Sequence, residues 1–150
     1  MTRELLIEIN GIENSEKIPE KLKIVSPKFS ILIERDRNTL TLYRKGKFFK
    51  EYSVATGRDF STPTGKYLIT SKLIRPPWIF KGKVINPENP AYPLGTRWMG
   101  LSGTRIGIHG TKDPEHIGQY VSKGCIRMVN PDLEELFKII SFGTEVTIKE

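Results

Sequence analysis

The chain has 150 residues, 37% of them hydrophobic and 27% charged, proportions ordinary for one soluble globular domain. Its net charge of +7, from 24 Lys and Arg against 17 Asp and Glu, favours an anionic partner. There is no RNA-binding signature, zinc-finger spacing or long basic run, so nucleic acid is set aside in favour of an acidic polymer, and no apolar run reaches the ~18 residues of a membrane helix.

In chain order, the opening MTRELLIEINGIENSEK carries acids throughout and lacks the basic-then-apolar pattern of an export signal. ELLIEING fits a short helix or a strand equally, and KLKIV reads as a strand. Residues 1–27 are expected to be an N-terminal extension to a main domain over residues 28–150. Phe29 to Glu34 (FSILIE) and Thr39 to Tyr43 (TLTLY) alternate apolar and polar residues around the turn-like Arg35-Asp36-Arg37-Asn38. Lys47 to Ala55 is a third run, set off by a turn at Gly46, and the three make an antiparallel meander. Gly65 to Ser71, Arg105 to His109 and Thr144 to Lys149 are further strands.

Residues 72–100 differ from the rest. Pro76, Pro77, Pro87, Pro90 and Pro93 are interleaved there with Trp78, Tyr92 and Trp98. This composition argues against regular structure and fits a lid, a binding loop or a rigid packed loop. One helix is predicted. Asn130 caps it, Pro131 begins it, and Asp132, Glu134 and Glu135 fill its first turn. Leu133, Leu136, Phe137 and Ile140 form its apolar stripe, and Gly143 follows its end. The fold class is mainly β, with one short C-terminal helix and a Pro- and aromatic-rich, lid-like excursion.

A single cysteine forms no internal disulfide, and with only two histidines a Cys/His zinc site is set aside. Neither metal nor cofactor is expected. The chemistry gathers between Ile106 and Met128. His109 ends an apolar strand before Gly110, and Cys125 follows sixteen positions later, between Gly124 and Ile126. A glycine beside a nucleophile admits a substrate carbonyl and leaves main-chain N–H groups free to bind an oxyanion. Lys123 and Arg127 lie two positions either side of Cys125, the spacing that shares a strand face, where their charges would favour the thiolate. Spacing alone is compatible with an acyl-transfer site and equally with a chance pairing of lone residues. His116, in the polar TKDPEHIGQ, reads as a solvated loop histidine.

His109-Gly110-Thr111 and Ser122-Lys123-Gly124-Cys125-Ile126-Arg127-Met128 together resemble the paired motifs of the L,D-transpeptidase catalytic domain (YkuD-type). YSVATG, TPTGKY and NPAYPLGTRWMGL precede them in the expected order, so the resemblance covers about residues 28 to 149. It implies a mixed β-sandwich with Cys125 and His109 in a cleft overhung by residues 72–100. It also implies a two-step reaction on peptidoglycan stem tetrapeptides. Cys125, activated by His109, forms a thioester with loss of the terminal D-Ala, and an amine then takes the acyl group in a 3→3 cross-link. Gly110, Gly124 and Ser122 are the implied supporting or oxyanion positions, and Arg127, Lys123 and Tyr92 the implied substrate contacts. The family usually carries His where this chain has Lys123, which bears on the pH profile and donor choice. Acylation of Cys125 by carbapenem β-lactams and a location in the bacterial cell envelope, outside the cytoplasmic membrane, follow from the same resemblance. The alternatives are an L,D-carboxypeptidase using water, a non-catalytic wall-binding module, and a sortase-like thiol enzyme. NGIENSEKIPEKLKIV resembles the second half of a LysM glycan-binding module.

Overall fold

The computed structural model describes residues 28–150; the expected N-terminal extension, with its LysM-like stretch, lies outside the described residues. The first three strands form where alternation predicts them. In β1 (Phe29–Glu34), Phe29, Ile31 and Ile33 are buried while the residues between them are half-buried. β1 pairs antiparallel with β2 (Thr39–Arg44), which pairs antiparallel with β3 (Lys47–Ser53). Lys45 and Gly46, with φ of 50° and 76°, make the tight turn between β2 and β3. The predicted third run outlasts its strand. Beyond Ser53 the chain leaves β2, and Ala55 instead exchanges two main-chain hydrogen bonds of 2.9 Å with Arg127.

Then follow β4 (Thr56–Gly57), β5 (Gly65–Ile74), β6 (Trp78–Phe80), β7 (Lys83–Ile85) and β8 (Arg97–Leu101). After these come β9 (Gly107–Gly110), β10 (Tyr120–Ser122), β11 (Ile126–Met128), the helix α1 (Asn130–Ile139) and β12 (Glu145–Lys149). Eight strands form one mixed sheet in the order β11-β9-β8-β5-β12-β1-β2-β3, with β12 parallel to β1 and β11 parallel to β9. β5 belongs to both halves: its first residues pair with β12, and from Ile69 on, across an irregularity between Ile69 and Ser71, it pairs with β8. The buried faces of the halves meet in one cluster, from Ile31, Ile33 and Leu40 to Met99, Ile108 and Ile126. Leu133 and Leu136 of α1 are fully buried in it, each contributing roughly 1.5–3 kcal/mol of apolar burial.

Two expectations are corrected. Residues 72–100 are only partly irregular: β5 runs on to Ile74, β6 and β7 form a hairpin and β8 closes the segment, while residues 86–96 form turns and bends without strand or helix. The prolines sit beside these strands, where no ladder N–H is required. Asn130 also does not cap α1. Val129 occupies the cap position without a side-chain bond, and the Asn130 side chain is used elsewhere. At the other end Lys72 Nζ donates to the carbonyls of Phe137 and Ile140, at 2.7 and 2.5 Å, where a cation complements the helix dipole.

Candidate active site

Strands β8, β9 and β11 bury Met99, Ile108 and Ile126 on one face. Alternation then puts their neighbours Trp98, His109 and Arg127 on the other. Trp98 and His109 are register partners, as are His109 and Arg127, so the imidazole lies between an indole and a guanidinium. The indole stacks on it, with ring centroids 5.8 Å apart and planes inclined by 17°. Gly107 makes room for this: a Cβ there would approach the Trp98 ring to 2.5 Å.

His109 Nδ1 donates to the Gly110 carbonyl at 2.6 Å, which leaves Nε2 as the ring's proton acceptor. Burial pushes the imidazole pKa down to about 4, with Arg127 adding to the fall and the Gly110 hydrogen bond opposing it. Asn130 secures the strand end. Its amide accepts from Thr96 N and donates to Thr111 O, at 3.1 and 3.2 Å, bridging the residues that flank β8 and β9.

Cys125 follows a turn set by Gly124, whose φ of 128° is one that side chains avoid. Ser122 Oγ accepts from Gly124 N at 3.0 Å and donates to the Cys125 carbonyl at 2.6 Å, which closes the turn. The Gly124 N–H is therefore committed to a serine oxygen, and the sequence expectation that it lies free for an oxyanion is corrected. On the far side, Thr62 Oγ1 accepts from Gly57 N and donates to Gly124 O, both at 2.8 Å. The buried Arg35 donates through Nη1 to the carbonyls of Phe60 and Thr62, each at 2.8 Å. Neither Thr62 nor Arg35 is singled out by sequence reasoning. Thr62 falls inside the quoted TPTGKY motif, which was the available signal.

A cleft of about 670 Å³ receives both His109 and Cys125, with Ser122 and Arg127 beside them. Burial raises the Cys125 pKa, opposed by a main-chain hydrogen bond from Gly107 and by Arg127. With the thiol raised and the imidazole lowered, both groups are neutral near pH 7. Lys123 does not share the strand face as expected. It sits in the bend before Cys125, and its Nζ lies 4.9 Å from the Phe80 ring centroid. Tyr92 does not line the cleft. It is buried, and its hydroxyl donates to the Pro76 carbonyl at 2.5 Å, bracing the base of the β6–β7 hairpin. His116 is half-buried, with Nδ1 enclosed and unpartnered, and it too lies away from the cleft. Among the described residues no cluster of His, Cys, Asp and Glu could hold a metal, and no helix is long and apolar enough to cross a membrane.

Comparisons with known proteins bear on the family and the fold. The family profile of the L,D-transpeptidase catalytic domain (YkuD) matches residues 28–148. The protein named L,D-transpeptidase YkuD in Bacillus licheniformis is 37% identical over 141 residues, 93% of this chain and 72% of its own length. Its namesake in Bacillus subtilis is 39% identical over 121 residues, 80% of this chain and 65% of its own length. L,D-transpeptidase 3 from Mycobacterium tuberculosis, in complex with a faropenem-derived adduct, superposes with a TM-score of 0.66 at 18% identity. That match covers 83% of this chain and 61% of the other, and at such identity it speaks for the fold alone.

Proposed function

The chain belongs to the L,D-transpeptidase catalytic-domain family, and from that premise we propose that it releases the terminal D-Ala of a peptidoglycan stem tetrapeptide and passes the remaining acyl group to an amine through a Cys125 thioester. The observation that carries this reading is the pairing, in one cleft, of the Cys125 thiol with an imidazole whose Nδ1 is engaged by the Gly110 carbonyl, which leaves Nε2 as the acceptor. Because thiol and imidazole both favour their neutral forms, the proton leaves sulfur as the carbon–sulfur bond forms, and Nε2 receives it. The Cys125 N–H is the main-chain donor assigned to the developing oxyanion. Collapse expels D-Ala, whose nitrogen takes the proton from the imidazolium. An acceptor amine then attacks the thioester, His109 removes its proton, and the thiol is regenerated with a 3→3 cross-link formed. Water in place of the amine would give a carboxypeptidase. The substrate implies a location at the cell envelope, outside the cytoplasmic membrane.

The test is product analysis by mass spectrometry with a stem tetrapeptide and an amine acceptor, beside intact-protein mass after exposure to imipenem. The expected results are loss of D-Ala, a cross-linked dimer, and a protein adduct of imipenem mass. Folded protein giving neither product nor adduct would leave the wall-binding module as the reading. Donor hydrolysis without a dimer would mean that water is the acceptor.

Thr62 is assigned a positioning role, since its hydroxyl ties Gly57 to the carbonyl before Cys125. Thr62→Val is expected to lower kcat roughly tenfold with little change in KM, because the turn loosens while the substrate contacts remain. Denaturant unfolding should show a concurrent loss of about 1–3 kcal/mol from the two unpaired main-chain groups. An unchanged kcat with the same stability loss would make Thr62 purely structural.

A further inference from the structure

The cleft is charged in one sense only. Arg58, Arg105, Lys123 and Arg127 line it, and no Asp or Glu does. Some cations elsewhere are matched: Arg35 with Glu150, Lys50 with Glu135 and Arg75 with Glu88 are ion pairs. None of the four cleft cations pairs with a carboxylate among the described residues. Lys123 rests over Phe80, and the buried Arg127 Nε has no partner. Holding four positive charges around one concavity is unfavourable in the empty protein, and a ligand of opposite sign relieves that repulsion.

The four do not have equal work. Arg127 neighbours His109 in register and shifts both titrating groups, and Lys123 belongs to the bend before Cys125. Arg58 and Arg105 come from outside the cysteine motif. Arg58 begins the short 3-10 turn after β4, and Arg105 stands in the connection between β8 and β9. Both are exposed and affect neither pKa. Trp78, Ile79 and Phe80 of the hairpin supply an apolar lining, so the cleft suits an aliphatic peptide that carries free carboxylates.

We propose that Arg58 and Arg105 read carboxylates of the donor stem that are not consumed in peptide bonds, selecting the free-acid form over the carboxamide form. This rests on the donor class proposed above and adds its charge state. Arginine suits the task because its planar fork meets a carboxylate with two parallel hydrogen bonds.

The experiment measures binding apart from chemistry. Two synthetic stem tetrapeptides, identical except that these carboxylates are free in one and amidated in the other, are titrated calorimetrically into the Cys125→Ala protein. The free acid is expected to bind at least ~10-fold tighter at low ionic strength, with the ratio shrinking as salt is added. Adding Arg58→Gln and Arg105→Gln together should bring the ratio within twofold, whereas Arg→Lys at both sites should keep part of it. Equal affinities in the starting protein overturn the proposal, as does no measurable binding of either peptide. A ratio that survives both glutamine substitutions overturns it as well. Product analysis separates the two readings. Turnover without discrimination sinks the charge selection alone, and discrimination without turnover sinks the transpeptidase reading while the carboxylate site stands.

Discussion

Replacing Cys125 with alanine is expected to lower acyl transfer by more than ~10³-fold and to abolish the imipenem adduct, with folding intact. The size of the effect follows from the assigned chemistry. No other side chain among those lining the cleft offers a sulfur, and Ser122 cannot substitute, because its hydroxyl already bonds Gly124 N and the Cys125 carbonyl. The fold should survive because the features that shape the turn are retained. These are the φ of Gly124, the Ser122 hydroxyl and the Thr62 bridge, and none of them uses the sulfur. Product rates and intact mass, read beside a circular dichroism spectrum, check both halves. Residual turnover within tenfold of the starting protein would remove Cys125 from the mechanism.

His109→Gln is expected to cost roughly 10²–10⁴-fold in kcat/KM, the usual worth of a positioned general base. Two pH measurements go with it. The base is competent only when neutral, and its pKa is about 4, so the starting protein's kcat/KM should fall as pH drops through about 4. It should show no inflection near 6.5, where an ordinary histidine titrates. Stability changes with the same sign. The unfolded chain binds more protons at this residue between about 4 and 6.5, so stability rises with pH across that window. The contribution is fully present above 6.5 and is lost as pH falls to about 4, on the order of 3 kcal/mol. The glutamine variant should lack this slope in denaturant unfolding measured at several pH values. An equal slope in both proteins would mean that His109 is not titrating from a buried neutral form.

Much of the β architecture is legible because local alternation sets it. Phe29, Ile31 and Ile33 face the core wherever the strand ends up, so β1 and its meander can be read from spacing alone. β10 and β11, of three residues each, are too short for alternation to register. The β6–β7 hairpin is hidden by counting prolines without asking which N–H groups each removes. The His109 and Cys125 positions are legible through the motifs, and their placement in one cleft depends on the parallel pairing of β9 with β11. Tyr92 misleads because an aromatic in a proline-rich segment suits a substrate contact and a buried brace equally well. Asn130 misleads because an asparagine before Pro131 is an ordinary cap, and only the neighbouring Thr96 and Thr111 offer it better partners. Arg58 and Arg105 are 47 positions apart, and nothing local says that such cations converge.

β12 lies between β1 and β5, so the strand joining the two halves of the sheet is made after everything it joins. A ribosome that has released residues 28–144 has delivered two half-sheets with nothing between them. Until Glu145–Lys149 emerges, the edges of β1 and β5 carry unpaired N–H and C=O groups open to any passing strand. The helix has already been made by then, yet the cluster it packs into spans both halves. Cooperative closure is therefore held back until β12 is made, and before that the open seam is the part of the chain most exposed to mispairing.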